Sequence, residues 1–285
     1  MGLLKRLFGI GPLTAEDHYQ RGLALEAQGA YDKAIAEHTE AIRLDAKHAN
    51  AFWNRGMAHL GKHDYDRAIA DFTELIRLQP NNSTAYSNRA YAIQNMGNYA
   101  EAIADYSEAI RQAPDQPAWL HNRGMAWIEL RQYDRGIAGF SEFLKLHPNA
   151  GVYNNRAMRT KCDFEQAAAD FCEAIRVKPD DPAAYLNLAD LRSTCPQAGF
   201  RNGKEAIANI QKACDLMKVQ TLPYSVPQSF VLVRLAAAHA EIGEFKQAVE
   251  LQRKVLESSE LPFSALEGLR ERLKQYEEGK PWRGD

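Results

Sequence analysis

The sequence predicts an all-α fold, a solenoid of about seven helix–turn–helix repeats closed by a C-terminal capping helix. Three observations carry this expectation. An Asn-Arg pair returns at Asn54/Arg55, Asn88/Arg89, Asn122/Arg123 and Asn155/Arg156, spaced by 34, 34 and 33 residues. Small and aromatic residues recur at fixed places within that period, and proline closes it at Pro80, Pro114 and Pro148.

With each unit numbered 1 to 34, the first four span 15–48, 49–82, 83–116 and 117–150. Position 8 holds Gly22, Gly56, Ala90 and Gly124, and position 20 holds Ala34, Ala68, Ala102 and Gly136. Such residues are needed where two antiparallel helices approach closely. Position 17 is Tyr31, Tyr65, Tyr99 and Tyr133; position 24 is His38, Phe72, Tyr106 and Phe140. These rings fill the space between neighbouring units, and proline at position 32 stops the second helix because it can neither donate the backbone bond nor avoid the preceding turn.

A fifth unit, 150–181, keeps Asn155, Ala157, Phe164, Ala167, Phe171, Ala174 and Pro179 but is two residues shorter before its turn. Residues 182–262 hold two irregular units. The sixth starts at Pro182 with Tyr185 and Ala189; "STCPQAGFRNGKEAI" then lengthens the turn before Ala206 and Ala213 resume the pattern. After the turn-rich linker "VQTLPYSVPQ", the seventh carries Ala236, Phe245, Ala248 and Val255 in register. Leu266, Leu269, Leu273 and Tyr276 share one face of a capping helix over 263–278, and 279–285 form a tail.

Composition excludes several function classes. With 35 basic and 37 acidic side chains, the chain lacks the cationic excess that nucleic acid requires. Cys162, Cys172, Cys195 and Cys214 show neither Cys-x-x-Cys nor zinc-finger spacing, so each reads as a small buried hydrophobe, reduced in a cytoplasmic setting. No apolar run is long enough for a membrane span. The leader, residues 1–14, offers Leu3, Leu4, Leu7 and Phe8 with Lys5 and Arg6: one amphipathic turn touching a membrane or partner, a disordered segment, or an extra packing turn on the first repeat. No phosphate-binding loop, catalytic triad elbow or zinc-protease motif occurs, so the expectation is a non-enzyme with no cofactor, no metal and no small-molecule substrate. His59 and His63 read as surface histidines, and the terminal "RGD" is too short a match to carry weight.

The 34-residue pattern resembles the tetratricopeptide repeat, closely over four uninterrupted units. The segments "ACDL", "LAAAHAEIGEFKQAVELQRKVLE" and "RLKQYEEGKPWR" are similar to a C-terminal module of bacterial tetratricopeptide proteins, which implies a bacterial source. The family resemblance implies a right-handed superhelix whose concave wall carries positions 5, 6 and 9 of each first helix.

The Asn-Arg pair divides into two roles. Position 7 (Arg21, Arg55, Arg89, Arg123, Arg156) and position 23 (Glu37, Asp71, Asp105, Gly139, Asp170) lie equally far from the turn, so antiparallel helices set them level. An internal ion pair follows for four units, with Arg123 the exception because Gly139 offers no carboxylate. The Asn row is Asn54, Asn88, Asn122 and Asn155, extended by Gln20 and Asn187. A carboxamide both donates and accepts, which suits pairing with extended backbone; in the family, an Asn ladder at this inner position can hold peptide main chain. The same amides could instead bond the neighbouring unit and set its angle.

Trp53, Met57, Tyr91 and Met125 lie beside the ladder and would take partner side chains, and Arg123 would meet an acidic group. The residues of a chaperone-tail carboxylate clamp are matched only by the central Asn. The functional expectation is an adaptor or scaffold that binds an extended peptide or partner helix. The alternative is a structural protein that self-associates through its irregular C-terminal units into a homo-oligomer.

Overall fold

A computed structural model describes residues 12–160, 163–219, 228–257 and 263–283. Among these residues it shows fifteen α-helices and no strand. The chain divides into two compact units at Leu146/His147.

The first unit contains α1 (Ala15–Glu26), α2 (Tyr31–Leu44), α3 (Ala49–Gly61), α4 (Tyr65–Leu78), α5 (Ser83–Asn95), α6 (Tyr99–Gln112), α7 (Pro117–Glu129) and α8 (Tyr133–Leu146). Each odd-numbered helix packs on the next even one, and α2, α4 and α6 also pack on the first helix of the following pair. Local chemistry sets the ends. Thr14 builds a capping box with Asp17, while Asp64 and Asn82 each accept a backbone N–H from the first turn of the helix they precede. Helices α4, α6 and α8 end at Leu78, Gln112 and Leu146, in each case two residues before the repeated proline.

Between the helices of each pair, position 15 takes a left-handed backbone. It is Gly29 (φ 72°), His63 (φ 58°), Gly97 (φ 84°) and Arg131 (φ 58°). Glycine suits this conformation, and units two and four hold it with a side chain in place.

The small residues at positions 8 and 20 have a visible cause. A Cβ on Gly22 would stand 2.3 Å from the ring of His38, and one on Gly124 would stand 2.9 Å from Phe140. A Cβ on Gly136 would meet Ile128 at 2.4 Å and the Gly124 carbonyl at 3.0 Å. The rings at position 24 therefore press against a bare helix backbone, and Phe72, Tyr106 and Phe140 are fully buried.

The second unit contains α9 (Ala150–Arg159), α10 (Phe164–Val177), α11 (Pro182–Thr194), α12 (Gly203–Val219), α13 (Gln228–Glu241), α14 (Phe245–Leu256) and α15 (Phe263–Glu277). They pack as successive pairs α9/α10, α11/α12 and α13/α14, with α15 against α14 and α11 also touching α13. The lengthened turn after α11 holds a short 3-10 segment, Ala198–Phe200, and is tied back by Arg201, whose Nη1 donates to the carbonyls of Cys195 and Pro196. The last helix covers the pair before it: Tyr276 is buried among Ala236, Ala240, Ala248 and Leu251.

Several expectations are corrected or bounded here. His59 is a buried residue, 5% exposed, because it sits on the inward face of α3 and not in the turn. Cys172 is exposed, whereas Cys195 is buried and Cys214 half-buried. Cys162, the apolar leader residues Leu3 to Phe8, most of the linker after α12, and Gly284 and Asp285 of the terminal tripeptide lie outside the described residues. Among the described residues no helix is long and apolar enough to cross a membrane.

His38 takes the place of the ring that Phe72 and Phe140 supply in other units. It is fully buried, its Nε2 stands 3.1 Å from Glu26 Oε1, and its Nδ1 has no partner. Burial holds its pKa below the ordinary 6.5, against the opposing pull of Glu26, and burial also lowers His59. An imidazole depressed in the folded state binds fewer protons there than in the unfolded chain. Its stabilising share is complete above about pH 6.5 and falls away as pH drops through the folded pKa. The variant His38→Phe is therefore expected to flatten the acid side of the stability profile, read as unfolding temperature from pH 7.5 down to pH 5; an unchanged slope would rule His38 out as a source of acid sensitivity.

Candidate functional site

The Arg row forms the internal pairs in three of the five regular units. Arg55 grips Asp71 through Nε–Oδ2 at 2.9 Å and Nη2–Oδ1 at 2.6 Å; Arg89 holds Asp105 at 2.7 and 2.8 Å, and Arg156 holds Asp170 at 2.8 and 2.6 Å. The forked guanidinium matches the carboxylate edge, and burial of Asp71, Asp105 and Asp170 removes the competition of water. The separation is 16 residues in the full-length units and 14 in the shortened fifth, so both helices keep their relative height although two residues are missing.

Two further contacts were not read from the pair spacing. Each of these guanidiniums lies over an aromatic ring three residues earlier on its own helix: Arg55 over Phe52, Arg89 over Tyr86 and Arg156 over Tyr153, at 5.7 to 5.8 Å. Arg55 and Arg89 also donate through Nη1 to Thr39 and Thr73 of the preceding pair, at 3.1 and 3.2 Å. The repeated Thr at position 25 was the available signal. The arginine thus binds its own unit together and links that unit to the one before.

Two units depart from this scheme. In the first, the expected Arg21–Glu37 pair is replaced by His18–Glu37 at 2.6 Å, and Arg21 is exposed. His18 is one turn nearer the helix start and reaches Glu37 from a half-buried position, which leaves the longer Arg21 side chain to solvent. In the fourth, position 4 is Leu120, without a ring, and position 23 is Gly139, where a Cβ would lie 3.3 Å from the Gly124 backbone. Arg123 turns to Glu142, 3.1 Å away and more than half exposed.

The Asn row lies on the first helix of each pair. Asn54, Asn88 and Asn122 are half-buried on α3, α5 and α7. Their bonds to other side chains are weak: Asn54 Nδ2 to the Tyr19 hydroxyl at a long 3.4 Å, Asn88 Nδ2 to the thioether sulfur of Met57 at 3.5 Å, and Asn122 Oδ1 beside His121 Nδ1 at 3.4 Å. Asn122 also faces the buried Tyr106 hydroxyl, whose pKa is raised by burial and lowered by the Asn122 amide. Met57 and Tyr91 are exposed at 40% and 45%, and Met125 is half-buried. Asn155 belongs to the second unit, half-buried on α9; there Asn187 Nδ2 reaches Asn154 Oδ1 at 3.5 Å and the Met158 sulfur at 3.8 Å.

Position 5 has a packing role. Trp53 meets Phe72 edge-on with ring centroids 6.0 Å apart, and Tyr19 meets His38 and His121 meets Phe140 in tilted contacts at 5.7 Å. Trp53 is half-buried and packs against the cluster around Phe52 and Phe72, so part of its ring stays accessible.

A family model described as tetratricopeptide repeat matches residues 19–83, 54–117 and 88–151, each match covering two consecutive helix pairs. Residues 19–151 are built of tetratricopeptide repeats. Comparison with curated proteins gave no match. Among solved structures, a tetratricopeptide repeat protein from Parabacteroides merdae is 19% identical, covers 92% of this chain and 98% of its own, and superposes with a TM-score of 0.59. PilF of Pseudomonas aeruginosa is 16% identical over 78% of this chain and 97% of its own, with a TM-score of 0.59. YrrB, described as a TPR protein with an unusual peptide-binding site, is 19% identical over 60% of this chain and 89% of its own, with a TM-score of 0.55. At these identities the likeness shows a shared tetratricopeptide fold.

Proposed function

We propose that this tetratricopeptide repeat protein is an interaction scaffold, and that the first-helix face of residues 15–146 binds an extended peptide segment of a partner protein. The observation that carries the proposal is the state of the ladder amides. Asn54 is held by a long contact of 3.4 Å and Asn88 by the weak thioether acceptor of Met57 at 3.5 Å, so their donors and acceptors remain available to a peptide backbone. Met57, Tyr91 and Met125 flank them as adaptable apolar contacts, and Trp53 adds the free part of its ring. Arg123 supplies a cation held by an exposed carboxylate that an acidic partner group could displace. The reading agrees with peptide binding by YrrB.

The test is a peptide array probed with the full chain, followed by titration of the best peptide. Replacing both Asn88 and Asn122 by Ala removes two bonding groups of about 1 kcal/mol each, so affinity is expected to fall by roughly 30-fold with the unfolding temperature unchanged. A drop in folding stability without a change in affinity would make the ladder a packing device and end the proposal.

A further inference from the structure

The second unit holds a cavity of about 480 Å³ among α11, α13, α15 and Trp282, which follows α15. Nothing in the repeat pattern anticipates it, and it contains none of the ladder residues. Its wall has both an apolar and a charged part. Phe230, Val233, Leu269 and Trp282 supply the apolar surface, with Phe230 51% exposed. The charges are Asp190, Arg234 and Arg272.

The bonding of these charges is unequal. Arg234 Nη2 holds Asp190 Oδ2 at 2.8 Å, and its Nη1 donates to the Phe230 carbonyl, but its Nε is buried without a partner. Arg272 lies 4.9 Å over the Trp282 ring and has no ion-pair or hydrogen-bond partner among the described residues. Two guanidiniums therefore stand against one carboxylate. Ser229, 2% exposed, also lines the cavity with an unpartnered Oγ. Buried donors without partners are uncommon in folded proteins, and here two of them border one cavity.

Asp190 reports the character of the space. Its side chain keeps 41% of its surface accessible, yet desolvation raises its carboxyl pKa against the pull of Arg234 and Arg272. Access through a mouth combined with protein on most sides is the signature of a pocket. Gly268 contributes as well: it lies inside α15, where glycine weakens a helix relative to alanine, and a Cβ there would meet nothing within 4 Å. No packing constraint excludes a side chain at Gly268; its absence keeps the cavity open.

We infer that this cavity is a binding site for a small carboxylic acid with an aromatic or branched apolar body. The carboxylate is expected to pair with Arg272 and with the free donors of Ser229 and Arg234, and the body to lie against Phe230, Leu269 and Trp282. The volume falls within the range of small-ligand pockets, in which a mostly apolar wall with few polar groups sets orientation.

The experiment is calorimetric titration of the full chain with phenylpropionate, indole acetate and methylpentanoate at millimolar concentration, each against its uncharged amide. At least one acid is expected to bind, at least tenfold more tightly than its amide, since a charge-assisted bond is lost in the amide. Arg272→Gln is expected to weaken binding by about tenfold or more. Gly268→Leu, which fills the cavity and improves the helix, is expected to abolish binding while the unfolding temperature holds or rises. Failure of all three acids to bind, equal binding of acid and amide, or undiminished binding by Gly268→Leu would each overturn the inference. An N-acetylated dipeptide ending in Phe that bound tenfold better than any free acid would overturn it in favour of a protein C-terminus.

Discussion

Replacing Phe72 by Ala is expected to destabilise the first unit by about 3–5 kcal/mol, the range for deleting a large buried ring. Phe72 is fully buried, and its ring edge would lie 3.1 Å from a Cβ on Gly56. It is clustered with Phe52, Leu75, Ala85 and Ala92, so it fills space both within its own helix pair and toward the next. Collapse into the resulting void would require α3 and α4 to move together. The buried Ala68 and Gly56 already hold them at close approach, and the Arg55–Asp71 fork holds their height. Denaturant titration with a helical signal measures the effect, and Phe72→Leu, which retains most of the volume, should cost markedly less. A loss below about 1 kcal/mol for the alanine variant would show that the unit repacks freely.

Removing the carboxylate of Asp170 is expected to cost about 3–5 kcal/mol, because the Arg156 guanidinium then loses its bidentate carboxylate in a nearly closed site. The Asp170 side chain is 2% exposed and that of Arg156 15% exposed. Gln166 also donates to Asp170 Oδ1 at 2.8 Å, so a second group loses its partner. The double variant Arg156→Leu/Asp170→Ala should recover a large part of the loss, since neither charge then remains buried. The exposed pair Arg43–Glu40, with side chains 64% and 44% accessible, is the control; its disruption should change stability by no more than about 0.5 kcal/mol. Equal losses for the two pairs would refute the claim that the buried fork is what ties α9 to α10.

The axial order of this protein was legible because helix chemistry is local. Periodic small residues, aromatic residues and prolines state where a helix must approach another and where it must stop, and the equal distances of Arg55 and Asp71 from the turn place them level before any coordinates exist. The same reasoning missed contacts that run sideways. Thr39 and Thr73 belong to neighbouring pairs, and the exchange of Arg21 for His18 at Glu37 depends on side-chain reach as much as on register. Trp53 likewise reads as a groove residue by position, and its edge contact with Phe72 follows only from how two rings share one gap.

The sequence by itself determined the helix pairs, their turns, the family of residues 19–151 and the Asn row on the first helices. Only the tertiary structure decided which polar groups are spent and which are free. Asp71, Asp105 and Asp170 are enclosed, the Asn54 and Asn88 amides are loosely held, and a cavity with unpaired donors opens beside Arg272. The physical reason is that periodicity specifies how each helix meets its partner, whereas hydrogen-bond satisfaction and empty volume depend on side chains contributed by several helices at once. In the irregular second unit no repeat carries those contributions from one pair to the next.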